Sequence, residues 1–162
     1  MLNLYYSFVY PYLIYCNHIW GSTYKTNLSK LQVLQNKAVR IITGSPRRTN
    51  TEMMYRNNNI LKLDSINVYL IGQFMYKIHH KTLPYIFDNF FKHNHHIHDH
   101  NTRISSHLNV PQSVSNLSKT GIRIQGVMDW NSILSIGINI DTSELSFKIM
   151  LKKCIQQNIL SI

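Results

Sequence analysis

The chain has 162 residues, of which 44% are hydrophobic and only 15% charged; this fits one domain with a real core, or a fragment of something larger, and excludes wholesale disorder. Seventeen Lys and Arg against seven Asp and Glu give a formal net charge of +10 and a pI near 9.7. No acidic residue precedes Glu52, whereas Lys25, Lys30, Lys37, Arg40, Arg47 and Arg48 all do; such a surface attracts phosphates or anionic lipids, the plain alternative being a solvated basic face.

In chain order, Leu4, Tyr5, Phe8, Val9, Tyr12 and Leu13 recur at helical intervals and predict a helix over residues 3–16 that is apolar over much of its surface and must be buried against something. Pro11 kinks or breaks it. The stretch lacks a basic leader region and contains Asn17 and His18, so it reads neither as a secretory signal nor as a bilayer span; a nuclear or cytoplasmic location is the expectation. Residues 21–26 form a turn.

Residues 27–42, "NLSKLQVLQNKAVRII", give the clearest amphipathic pattern. Leu28, Leu31, Leu34, Ala38, Ile41 and Ile42 share one face, and Gly44 with Pro46 supplies the stop. At about 100° per residue, Lys30, Lys37 and Arg40 fall within roughly 80° of one another, off that stripe. Arg47 and Arg48 follow the stop. A short helix is predicted from Thr51 to Asn57, and a longer one, capped by Asp64 or Ser65 and running to His79, with Ile71, Phe74, Met75 and Ile78 inward. "LPYIFDNFF" is a breaker and an aromatic turn. Residues 92–120 lack helical period, and "GIRIQG" (121–126) alternates as a strand does. A short helix places Trp130 in a core. The last helix is capped by Thr142 or Ser143, with Phe147, Met150, Leu151, Cys154 and Ile155 as its stripe and Lys148, Lys152 and Lys153 outside it. The class is mostly α, with a long His-rich loop and at most one or two short strands.

Five histidines, His93, His95, His96, His98 and His100, crowd one stretch of that loop, but nothing else in the chain offers a converging second set of ligands. A histidine-rich loop is the reading, not a metal site. Cys16 and Cys154 are far apart in apolar helical settings and read as two buried free thiols, with Cys16 and His18 pointing apart. "GIRIQGV" has Val127 where a phosphate-binding loop needs lysine. The seven acids are scattered singly, so no pair holds two catalytic metals. No catalytic residue and no cofactor is expected in this chain.

The segments "LYYSFVYPYLIYCNHIWG", "LSKLQVLQNKAVRIITG", "NILKLDSINVYLIGQFMYKIHHKTLP", "HDHNTR", "GIRIQGVMDWNSI" and "SFKIMLKKCI", in this order, resemble the C-terminal segment of reverse transcriptases from jockey-like non-LTR (LINE) retrotransposons. The resemblance runs from about Leu4 to Leu160. It implies a single region of 1–162, with thumb-like helices over 1–45, further helices over 46–91, a loop with a short strand over 92–126 and C-terminal helices over 127–162. It also implies that the palm, fingers and endonuclease are absent, and with them the catalytic aspartates and the magnesium of the parent RNA-directed DNA polymerase. Where that family tends to carry His-x-Tyr-x-Thr-Arg, His98, Asn101, Thr102 and Arg103 match the pattern and His100 departs from its aromatic.

The function expected is therefore a truncated polymerase segment that contacts the backbone of RNA, DNA or their hybrid through Lys30, Lys37, Arg40, Arg47 and Arg48, without base readout and without catalysis by itself. The missing palm or another polypeptide is a possible partner; a small-molecule substrate is not expected. The alternative is a decayed transposon remnant or a helical protein-interaction module, whose apolar first helix would need a partner. A membrane partner is set aside, because the basic residues are not expected to lie beside an exposed apolar stripe.

Overall fold

The computed structural model describes residues 2–97, 105–113 and 115–157. His98, Asp99, His100 and the Thr102–Arg103 pair lie outside the described residues. The fold is mostly helical. Its helices are α1 (Leu2–Phe8), α2 (Tyr10–Ile14), α3 (Asn17–Trp20), α4 (Lys25–Thr43), α5 (Thr51–Asn57), α6 (Leu63–His79), α7 (Asn116–Thr120), α8 (Ile122–Ser135) and α9 (Glu144–Gln156). The only β-type pairing among the described residues is an isolated antiparallel bridge between His93 and Leu108. The chain divides within α6 into two compact units, Met1–Val68 and Tyr69–Ile162.

The first unit is organised by α4. Its inward face is not the aliphatic stripe that the sequence offers: Gln35 and Val39 are buried, whereas Leu34 is 58% and Ile41 79% exposed. The cause is a polar network. The Gln35 amide donates to the Tyr5 hydroxyl and to the Leu61 carbonyl, both at 2.9 Å. The Gln32 amide donates to Gln35 Oε1 and Asn36 Oδ1 at 2.9 Å, and its Oε1 accepts from the Leu63 N–H at 3.0 Å. The Tyr55 hydroxyl closes the set by donating to Asn36 Oδ1 at 2.8 Å. Burial pushes the Tyr5 phenol up to about 12 and that of Tyr55 upward as well, so both remain neutral, Tyr5 as the acceptor of the Gln35 amide and Tyr55 as a donor to Asn36. A buried amide without partners costs about 1–3 kcal/mol, and the rotation of α4 that satisfies both glutamines prevails over burying two more aliphatic side chains.

The predicted 3–16 helix is two helices, separated at Val9, with Pro11 in the first turn of α2 where its missing N–H costs nothing. The expectation of wholesale burial is overturned. Tyr5, Leu13 and Asn17 are buried, but Leu4, Phe8, Tyr12, Tyr15 and Ile19 are 49–81% exposed. Cys16, expected in a core, sits in a left-handed conformation (φ 50°) between α2 and α3 and is exposed; Cys154 is half-buried, and both are free thiols. Gly21 leaves no room for a side chain: a Cβ there would overlap the Asn67 amide and the Asn17 carbonyl.

Three helices end alike. After α4, α5 and α6 the chain closes with paired bonds, Ser45 N–H to Arg40 O, Ile60 N–H to Tyr55 O and Thr82 N–H to Lys77 O, each at 3.0 Å. Gly44, Asn59 and Lys81 supply the left-handed residue. Gly44 was legible as a stop. Lys81 was not, since lysine has no preference for that conformation.

In the second unit α6, α8 and α9 share a core of Ile71, Met75, Val127, Trp130, Ile133, Phe147 and Leu151. Tyr76 stacks on Phe147 with ring centroids 4.5 Å apart and donates its hydroxyl to the Thr142 carbonyl. Gly72 admits the side chains of Leu151 and Ile133, and Gly126 those of Met75 and Ile71. Residues 121–126 are not a strand: Gly121 flanks the N-terminus of α8, and the buried set Ile124, Val127, Trp130, Ile133 recurs every three residues. The alternation of four letters was too short to outweigh a period that continues for three turns. Within the expected loop of 92–126, Ser115 starts α7 with a reciprocal capping box to Ser118. Ser143 caps α9 as expected, accepting from the Ser146 N–H.

Two measurements follow from this packing. Gln35→Ala strands the Tyr5 hydroxyl and the Leu61 carbonyl and should lower stability by about 2–3 kcal/mol in urea unfolding, while Leu34→Ala and Ile41→Ala should each change it by about 0.5 kcal/mol or less. The reverse ranking would mean that the aliphatic stripe faces inward. Asp129 is buried, accepts from the Gln125 amide at 2.8 Å, and its Oδ2 has no partner among the described residues. Burial raises its carboxyl to about 6, against which the Gln125 bond works only in part. The folded state thus holds this proton more tightly than the unfolded chain. Stability is spared the cost below pH about 4 and loses about 2–3 kcal/mol as pH rises through about 6. Asp129→Asn should recover about 1–2 kcal/mol of that at pH 7.5 and none at pH 4; a gain equal at both pH values would contradict the assignment.

Candidate nucleic-acid interface

The five basic residues singled out from the sequence all lie on or just beyond α4, the longest helix of the first unit. Lys30 and Lys37 are exposed, two turns apart and about 10 Å along the axis. Arg47 and Arg48 are exposed in the turn after Gly44. None of the four is engaged in an ion pair among the described residues; the one acid–base pair of this unit joins Lys62 to Glu52. The charge is therefore free to meet an outside anion.

Arg40 stands apart from the other four. It is half-buried, and its Nε is buried without an acceptor among the described residues. Its charge lies close enough to Tyr55 to favour the phenolate, although burial outweighs that effect. The same rotation that buries Gln35 and Val39 swings Arg40 toward the flank of the core, so it serves the packing of α4 more than the exposed face.

The rotation also alters the character of the exposed face. Leu34 and Ile41 lie between and beyond Lys30 and Lys37 at helical spacing, with Val33 50% exposed beside them. The expectation that the basic residues stand clear of exposed apolar side chains is thus overturned. No helix among the described residues is long and apolar enough to cross a membrane.

Of the histidine stretch, His93 and His95 have described side chains. His93 and His95 stack with ring centroids 5.3 Å apart, and each Nδ1 donates to a backbone carbonyl, that of Ser106 at 2.9 Å and that of Ser105 at 3.1 Å. Among the described residues no group of three or more His, Cys, Asp or Glu is placed to hold a metal ion.

Comparison of the chain with protein-family models, with curated proteins and with solved structures finds no match.

Proposed function

We propose that the chain is a nucleic-acid-binding accessory segment, the C-terminal part of a retrotransposon reverse transcriptase, that grips a template–primer duplex by its phosphates and performs no catalysis alone. The observation that carries this reading is the exposed, unpaired set Lys30, Lys37, Arg47 and Arg48 on and after α4, in a unit where eight Lys and Arg face two acids. Phosphate contact needs only point charges along a rigid element, and a long helix ending in two arginines supplies it. Nothing in this face reads base edges, so binding is independent of sequence. The ordered family-like segments of the chain support the placement in such a polymerase. Magnesium and the polymerising step belong to the parent enzyme, and nuclear or cytoplasmic residence accords with that role.

A second reading, a helical protein-interaction module, draws on the exposed side chains of Leu4, Phe8, Tyr12, Tyr15 and Ile19. Apolar residues in such number on three short helices are the kind of surface a protein partner covers.

The test is titration of the folded chain with a labelled RNA–DNA hybrid across a salt series. Four phosphate contacts give a slope of log K against log salt near −4, hence roughly a hundredfold loss between 50 and 200 mM. Each single change of Lys30, Lys37, Arg47 or Arg48 to Ala should reduce that slope by about 1, and the fourfold variant should abolish binding. Arg40→Ala should cost stability more than it costs the slope. Because Leu34 and Ile41 flank the lysines, a parallel arm uses anionic vesicles. Vesicle binding that the hybrid does not compete away would replace the nucleic-acid reading with a lipid one. A folded chain indifferent to both would leave the interaction module.

A further inference from the structure

The second unit contains a cavity of about 550 Å³ that the reading above does not use. Its apolar lining is Met75 and Ile78 from α6, Leu108, Phe91 and Trp130. Its polar lining is His79, Lys81, Lys92 and His93 with Asn89 and one acid, Asp88.

The surrounding bonds hold this arrangement in place. Asn131 of α8 clasps the backbone of Leu108, accepting from its N–H at 3.0 Å and donating to its carbonyl at 2.9 Å. Leu108 in turn bridges to His93, and Asn109 N–H donates to the Lys92 carbonyl at 2.7 Å, which fixes Lys92 and His93 over the end of α8. On the other side Arg123 lies 4.5 Å above the Phe90 ring and pins the aromatic turn that carries Phe91. The site is built before any ligand arrives.

Lys81 occupies the left-handed position after α6, at φ 52°. A Cβ-bearing residue is strained there, and glycine would serve the turn better. Its presence in the cavity lining is a local rule broken where a cation meets the cavity. His79 packs with its ring centroid 5.9 Å from that of Trp130. Partial burial, together with the charges of His80 and His93, holds its imidazole below the usual value despite Asp141. At neutral pH it offers a hydrogen bond, and the lysines offer the charge.

We propose that this cavity binds a small aromatic phosphate ester of the size of a nucleoside monophosphate, its planar ring against Phe91 and Trp130 and its phosphate between Lys81 and Lys92. The volume falls within the range of about 300–1,000 Å³ typical of small-molecule sites, and apolar and aromatic side chains beside two lysines, against the single acid Asp88, suit a planar group joined to a phosphate. This site is in the second unit and does not depend on the duplex-gripping role of the first.

The test uses the full chain and three probes: adenosine monophosphate, adenosine and inorganic phosphate, each followed by calorimetry and by amide shifts. Saturable binding of the monophosphate is expected, at least tenfold tighter than of either fragment, with shifts around residues 79–93 and 108. Lys81→Gly removes the cation while relieving the turn, so the variant should be at least as stable as the parent and bind at least tenfold more weakly. Lys92→Gln should weaken binding similarly, and Lys119→Gln, outside the cavity, should not. Undiminished affinity in folded Lys81→Gly and Lys92→Gln overturns the proposal, as does equal binding of adenosine or of free phosphate. Failure of the monophosphate to saturate at about 1 mM also overturns it.

Discussion

Two glutamines of α4, Gln35 buried and Gln32 half-buried, set the first unit. Gln32 and Gln35 carry four amide atoms into a region reached by Tyr5, Tyr55 and the backbone at Leu61 and Leu63, and every one of those atoms finds a partner. Such a network contributes modestly to stability, because water offers the same bonds to the unfolded chain. Its larger effect is on uniqueness. Turned by one residue, α4 would bury Leu34 and Ile41 but leave two amides and two phenols without partners. The apolar gain would then be set against several stranded polar groups. The network therefore selects a rotation, and the rotation decides which residues reach solvent.

What α4 presents outward follows from that choice. Lys30 and Lys37 share their face with Leu34 and Ile41, while Arg40 is drawn to the edge of the core. A helix that interleaves charge and aliphatic surface with few acids nearby carries a positive potential on that face. The second unit handles its charges differently. Glu144, at the start of α9, is 2.6 Å from Lys148 and 3.7 Å from Lys77, so part of its positive charge is answered internally. Those lysines hold the carboxyl of Glu144 below its usual value.

The sequence was a good guide where a helix stop, cap or stripe is complete within a few residues. Gly44 after an amphipathic run, Ser143 before one, and the Phe147–Leu151–Ile155 stripe each speak for themselves within a few residues, and the helices they imply are present. The rotation of α4 was not local. The partners of Gln35 lie 26 and 30 residues away, and no window around Gln35 contains Tyr5 or Leu61. Residues 121–126 misled for the opposite reason, since four alternating letters hid the start of a helix whose period shows only by Ile133. The basic residues themselves could be read as a group, because charge adds regardless of fold. Which of them face solvent could not, and Arg40 is the one that the rotation takes away. The cavity left still less trace: its lysines follow a helix and an aromatic turn, and only the fold brings them to Trp130.

Lys81 and Arg40 are alike in a useful way. Each is a cation where a neutral residue would serve the local structure better, glycine at the left-handed turn and an aliphatic side chain beside Tyr55. Lys81 lines the cavity of the second unit. Arg40 has a buried Nε without an acceptor among the described residues. The first departs from the local rule at a surface that can meet a ligand, the second at the margin of a core. Local misfit alone does not mark a site. Misfit marks one when the offending group also reaches a space that something else can fill, as Lys81 does.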